Sequence, residues 1–162
     1  MSERTRTFGW DDPLAMARTI EDLSGLERMQ RVLAGTLPPP PMARLMDIRL
    51  VEATDGRAVF AASPSEFHFN PIGVVHGGFA ATILDSAMGC AVHTKLAARV
   101  GYTTLELKVN FVRALTLATG PVRAIGTVIH AGRTTALAEG RLESADGTLL
   151  AHATTTCLIL RE

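Results

Sequence analysis

The sequence predicts an α+β fold, an antiparallel sheet wrapped against one long central helix. Three observations predict it. From Gly77 to Thr94 the only full charge is Asp85, and apolar residues fall in pairs at 79/80, 83/84, 87/88 and 91/92. That is the spacing of a helical stripe, and a helix without a charged face is buried on all sides. Around it lie several runs rich in Val, Ile, Leu and Thr. Two of the links between those runs are Asp-Gly pairs, at 55/56 and 146/147, the signature of tight hairpins and therefore of antiparallel pairing.

The elements follow in order. Asp12-Pro13 suits a helix start, with Pro at the first helical position. Ser24-Gly25-Leu26-Glu27 reads as a capping box ahead of an apolar stripe of Leu26, Met29, Val32 and Leu33, and Gly35 is placed to end that helix. Pro38 to Pro41 forbid regular helix and predict a stiff spacer. Strands are expected at Ile48–Thr54 and Arg57–Ala62, then a loop over Ser63–Val75 into the central helix. Further strands are expected at Thr104–Val112, Val122–His130, Thr134–Glu143 and Leu149–Leu160. In the first of these, Leu105, Leu107, Val109 and Phe111 are expected on one face, with Thr104, Glu106, Lys108 and Asn110 on the other. The chain thus divides into a helical arm and linker over 1–37 and a single domain over 38–162. The small residues Gly78, Thr82 and Gly89 leave one side of the helix to be hidden, and a second subunit is the economical cover.

The totals exclude several classes. The 162 residues carry a formal net charge of zero, are 47% apolar and 20% charged. No basic surplus points to nucleic acid or to an anionic membrane as partner. No apolar run approaches the ~20 residues that cross a bilayer. The charged N-terminal residues lack an apolar signal core, which predicts a cytoplasmic protein. Cys90 and Cys157 fit no metal-ligand spacing and read as reduced core thiols, and His68, His93, His130 and His152 have no metal-ligand spacing either. A carboxylate on an otherwise uncharged buried helix is costly unless paired, so Asp85 is the leading candidate for chemistry.

The run Asn70-Pro71-Ile72-Gly73-Val74-Val75-His76-Gly77-Gly78, with Asp85 nine residues after the histidine, resembles the hotdog-fold acyl-CoA thioesterases, in particular the phenylacetyl-CoA thioesterase-like branch. The block Gly101–Arg113 is similar to the strand that follows the helix in that family, and the resemblance spans roughly residues 36 to 160. One departure is Ala114, where family members usually carry Pro after the arginine. The resemblance implies a helix enclosed by a curled antiparallel sheet, edge-to-edge homodimers that often pair into tetramers, and hydrolysis of a small aryl- or medium-chain acyl-CoA. It implies no cofactor beyond the coenzyme A carried by the substrate.

It also implies roles. The N–H of Gly77, at the positive end of the helix, would polarise the thioester carbonyl, with Gly78 beside it at the substrate. Asp85 of one subunit would reach the carbonyl held by the other, as general base on water or as nucleophile. Asn70 would orient the water or the loop. His76 reads as a neutral hydrogen-bonder, because cationic charge is disfavoured at a helix start. Thr104 would place a hydroxyl beside Asp85, with Thr103 as the alternative. Arg113, Arg133 and Lys108, then Arg99, are the candidates for coenzyme A phosphates. Two competing readings are a hotdog dehydratase or hydratase and a non-catalytic acyl-CoA-binding module. The first commonly uses His with Glu or Asp in other motifs; the second should lack the acid and carry a DNA-binding segment.

Overall fold

A computed structural model describes residues 3–161; Met1 and Ser2 of the expected arm and Glu162 of the expected domain lie outside the described residues. The chain runs α1 (Pro13–Thr19), α2 (Gly25–Leu33), α3 (Pro41–Met46), β1 (Ile48–Thr54), β2 (Arg57–Ala62), α4 (Gly77–His93), β3 (Gly101–Phe111), β4 (Val122–Ala131), β5 (Thr135–Ser144) and β6 (Leu149–Leu160). The six strands form one sheet in the order β1-β2-β4-β5-β6-β3, and every neighbouring pair is antiparallel. The sheet is open, with β1 and β3 as its edges.

The long helix α4 lies on one face of the sheet and touches all six strands. Phe79, Ile83, Leu84, Met88 and Val92 are fully buried there, each worth about 1.5–3 kcal/mol relative to exposure. Two glycines set how closely the helix sits. Gly126 of β4 and Gly140 of β5 are direct cross-strand partners. A Cβ on Gly126 would overlap the Ala87 carbonyl, and one on Gly140 would press on Leu84 and Met88.

The predicted capping box at Ser24 is present, with Glu27 reaching back to the Ser24 N–H at 2.8 Å. Asp12 caps α1, and Gly35, at φ 72°, follows the end of α2. The proline run departs from expectation at its last member. Pro41 opens the short helix α3 rather than extending the spacer, because Pro at the first helical position loses no hydrogen bond.

A second departure concerns β3. Its register runs from Thr104↔Cys157 directly to Glu106↔Thr156, leaving Leu105 as a bulge that is 58% exposed. Before the bulge Tyr102 and Thr104 face the core; after it Leu107 and Val109 do. Thr104 therefore shares a face with Leu107 and Val109, contrary to strict alternation, because one extra residue flips the facing of everything on one side of it.

The third departure concerns the small residues of α4. Gly89 is buried by the Tyr102 ring of its own chain, and the space beside Gly78 is filled by the His76 ring. These two glycines do not need a second subunit to hide them. The arm is also docked internally. The Gly25 N–H donates to the Leu96 carbonyl at 3.0 Å, and a Cβ on Gly25 would overlap the His93 carbonyl. The arm thereby closes over the C-terminal end of α4.

Two imidazoles are withdrawn from solvent, His93 beside the docked arm and His68 at the other end of α4. Burial, with Arg28 adding to it, pushes His93 down to about 4, and burial likewise lowers His68, whose ring lies between Phe67 and Phe79. The unfolded chain takes up a proton at His93 near its ordinary 6.5, the folded chain only near 4. Between those values the unfolded state binds more protons, so stability falls as pH falls. Thermal unfolding should show a Tm constant above about pH 7 and declining through that window. His93→Gln should flatten part of the decline.

Candidate active site

Asp85 lies half-buried at the middle of α4 and accepts a hydrogen bond from the Thr104 Oγ1 at 3.0 Å. The β3 bulge makes this contact possible by turning Thr104 inward. Thr103, one residue earlier, is exposed on the opposite face and does not reach the acid. Asp85 and Thr104 stand at the wall of a cavity of about 240 Å³. Its other walls come from α4 (Ser86, Gly89, Cys90), from β1 and β2 (Ile48, Leu50, Phe60) and from Tyr102 of β3. The arm supplies the roof: Met29 and Val32 of α2, Pro39 and Pro40 of the spacer, Met42 and Ala43 of α3. Apolar walls with a few convergent polar groups are the usual construction of a small-molecule site.

The cavity also contains a thiol, but an inert one. Burial, reinforced by the nearby Asp85, pushes Cys90 up to about 12. Nucleophilicity belongs to the thiolate, which leaves the carboxylate as the candidate reactive group of this cavity. Cys157 is buried, shifted upward by burial, and unpaired.

The start of α4 forms a second cluster. His76 is the N-cap, and its Nδ1 accepts from the Gly78 N–H at 2.8 Å. That bond assigns the His76 proton to Nε2. The Gly77 N–H has no hydrogen-bond acceptor among the described residues. The Phe111 ring lies over Gly77, with ring atoms 3.1–3.6 Å from where a Cβ would stand. Gly77, Phe111 and Arg113 line a shared surface groove. Asn70 shapes the approach: its Oδ1 accepts from the Ile72 N–H at 3.1 Å and the Val74 N–H at 3.3 Å. Of the two roles open to Asn70, these bonds place its carbonyl oxygen in the loop.

The two clusters are separated along the chain. Asp85 lies eight residues after Gly77 on a continuous helix, about 12 Å along the axis. The candidate arginines are also apart. Arg113 follows the Phe111 end of β3 and donates to the Leu149 carbonyl at 2.9 Å. Arg133 sits in the β4–β5 link, near the strand ends that carry Thr135 and Leu158, and thus toward the Gly101 end of β3. Arg99 pairs with Asp22 at 2.6 Å, and Lys108 is exposed on β3.

Sequence reasoning left open whether the arm covers the sheet or contributes to a pocket, and it missed Tyr102. The second was within reach: Tyr102 lies two residues before Thr104 on one strand, so whatever turns Thr104 inward turns Tyr102 inward too.

Comparison with known proteins gives the family. Residues 72–151 match the thioesterase superfamily. A protein of Saccharolobus solfataricus, an esterase by name, is 32% identical over 118 residues, covering 73% of this chain and 82% of that protein. An esterase by name from Pseudomonas aeruginosa is 30% identical over 135 residues, 83% of this chain and 86% of that protein. Among solved structures, a protein of Ralstonia eutropha described as a thioesterase related to phenylacetic acid degradation is 29% identical. It covers 80% of this chain and 98% of its own, with a TM-score of 0.71. The chain belongs to the thioesterase superfamily, has its hotdog fold, and is a thioester hydrolase.

Proposed function

We propose that the protein hydrolyses small aryl- or medium-chain acyl-CoA thioesters to the free acid and coenzyme A, at a site shared by two subunits of a homodimer. The observation that carries this reading is a carboxylate, held by Thr104, at the wall of a small apolar cavity. A volume of about 240 Å³ suits an acyl group rather than a whole coenzyme A ester, whose nucleotide must lie outside. The Ralstonia relative and its stated link to phenylacetic acid degradation favour an aryl group.

The shared site answers the separation of Asp85 from the Gly77 N–H. β3 is a free sheet edge of eleven residues, a template for pairing with another copy. Antiparallel pairing of β3 with its counterpart sets the Phe111 end of one strand beside the Gly101 end of the other. Gly77, covered by Phe111, then approaches the partner's cavity, and Arg113 comes to the same end as Arg133 of the partner subunit. Both arginines are then available to the phosphates. Two such dimers pairing again would make a tetramer.

The chemistry follows from these positions. The thioester oxygen accepts from the Gly77 N–H, and one such donor is worth about 3 kcal/mol in the transition state. Asp85 takes a proton from water as the water attacks, the C–S bond breaks, and the thiolate leaves as coenzyme A. In the alternative, a carboxylate oxygen attacks first and water cleaves the resulting mixed anhydride. Neither route calls on a cofactor, and His76 keeps its place as the cap of α4. No helix among the described residues is long and apolar enough to cross a membrane, and a cytoplasmic location suits a coenzyme A ester as substrate.

Thiol release from a panel of aryl- and alkyl-CoA esters tests the reading directly. Asp85→Asn should lower kcat by about 10²-fold or more. If the native protein releases no thiol from any ester above background, the reading fails. A second experiment tests the shared site. Asp85→Asn and Gly77→Val are each expected to be nearly inactive, the second by displacing Phe111 and the bound carbonyl. Co-refolded in equal amounts, they should regain about a quarter of native activity, because half of the dimers are mixed and each has one intact site. A third concerns the roof: Met29→Ala should shift the preferred acyl chain toward longer members, read as kcat/KM across chain lengths.

A further inference from the structure

Of the polar groups in the cavity that the mechanism above does not use, the Ser86 hydroxyl is bonded to the Thr82 carbonyl and the Tyr102 hydroxyl is not bonded. The Tyr102 ring packs against α4 at Gly89, with its hydroxyl oxygen 2.9 Å from where a Gly89 Cβ would stand. Its other neighbour is the His93 ring, at a centroid distance of 5.4 Å. The hydroxyl makes no hydrogen bond to any described residue, yet it is not sealed off, since no fully buried side-chain oxygen lacks a partner. It opens into the cavity. Burial holds the phenol far above its ordinary range, with Cys90, Cys157 and Asp85 adding to the effect, so it is a neutral O–H, able both to donate and to accept.

A hydroxyl that faces a cavity without a protein partner is costly to desolvate unless what fills the cavity bonds to it. Phenylalanine would fill the same volume without that cost. The placement of Tyr102 is also specific. Gly89 is one helical turn beyond Asp85, about 6 Å along α4, and Tyr102 stands two residues before Thr104 on β3. An acyl group whose thioester carbonyl lies at Asp85 and whose tail runs toward the C-terminal end of α4 passes this hydroxyl about 6 Å from the reacting carbon. Everything else at that level (Met29, Val32, Gly89 and Cys90) is apolar or inert.

We propose that Tyr102 is a specificity-determining residue, and that the acyl group this site is built for carries an oxygen, hydroxyl or carbonyl, about one helical turn from its thioester. The inference rests on the thioesterase reading and sharpens its substrate class. A site built around a hydrogen bond rejects the analogue lacking it more strongly than an apolar pocket rejects an added methylene, because the site's own polar group is left unpaired. Gly89 is part of the device, since any side chain there would push the hydroxyl off its position.

The test compares hexanoyl-CoA with its 5-oxo and 5-hydroxy derivatives, by thiol release, for the native protein, Tyr102→Phe and Gly89→Ala. The native protein should favour at least one oxygenated ester by roughly tenfold in kcat/KM, the worth of one such bond. In Tyr102→Phe that ratio should fall toward one, the loss falling on the oxygenated ester. Gly89→Ala, which keeps the hydroxyl but displaces it, should lower the ratio as well. A native protein that hydrolyses all three esters at similar kcat/KM overturns the inference while leaving the thioesterase reading intact. So does a Tyr102→Phe variant that slows all three equally or loses its dimer, either of which marks the hydroxyl as structural. Absence of hydrolysis of every ester, these and the wider panel together, removes the thioesterase reading and this inference with it.

Discussion

The close seating of α4 on the sheet governs the rest of the molecule. The helix can approach only because Gly126 and Gly140 lie side by side and present no Cβ to it. With the helix that close, Phe79, Ile83, Leu84, Met88 and Val92 fill the space between the layers, and the rotation of the helix is fixed by which of its faces bears those side chains. Asp85 then has one direction left, away from the sheet centre and toward β3. A methyl group on Gly126 would meet the backbone at Ala87, lift the helix and carry the carboxylate away from Thr104, while one on Gly140 would crowd the Leu84 and Met88 side chains. The site thus depends on two residues with no functional group at all.

A second constraint acts at β3. Strict alternation from Phe111 back to Thr104 would point the threonine outward, and the hydrogen bond to Asp85 could not form. The bulge at Leu105 spends one residue to reverse the facing, leaving that leucine 58% exposed. This is where the sequence was least legible. The helix, the capping box and the six strands are readable from periodicity and turn chemistry, because those signals are local. A bulge is set by the competition between two registers against β6, and the local pattern Leu-Glu-Leu-Lys-Val-Asn-Phe fits either one. The link between Thr104 and Asp85 came instead from the likeness to a family, which already contains the outcome of that competition.

The arm shows the same limit in another form. Its helices were legible through Pro13, Ser24 and Glu27, since caps are local devices. Its destination was not, because docking depends on a backbone fit between Gly25 and the His93–Leu96 turn. Without that fit the stripe of Met29 and Val32 is merely an apolar helix face. With it, the same residues become the ceiling over the carboxylate. The small residues of α4 carried an argument for a second subunit that is weakened, as Tyr102 and His76 of the same chain cover Gly89 and Gly78 and leave Thr82 half-exposed. What remains in favour of a partner is the free edge of β3 and the distance between Asp85 and the Gly77 N–H.

That distance turns on how His76 is used. The first turn of a helix offers several unpaired N–H groups, and a site could recruit any of them. Here the His76 Nδ1 takes the Gly78 N–H for the cap, and the Phe79 N–H is bonded to the His76 carbonyl at 2.9 Å. Only the Gly77 N–H is left to face a ligand, under the Phe111 ring. With Nδ1 engaged as acceptor by the Gly78 N–H, the histidine serves the site by subtraction, removing the competing donor. The remaining donor then has a single orientation, which is what a developing oxyanion requires. The same geometry rules out help from the acid of its own helix, since α4 is straight enough to keep eight residues of spacing between them. On the proposed reading the Gly77 N–H and the Asp85 carboxylate, each fixed and each out of reach of the other within one chain, become a working pair across an interface with a second copy.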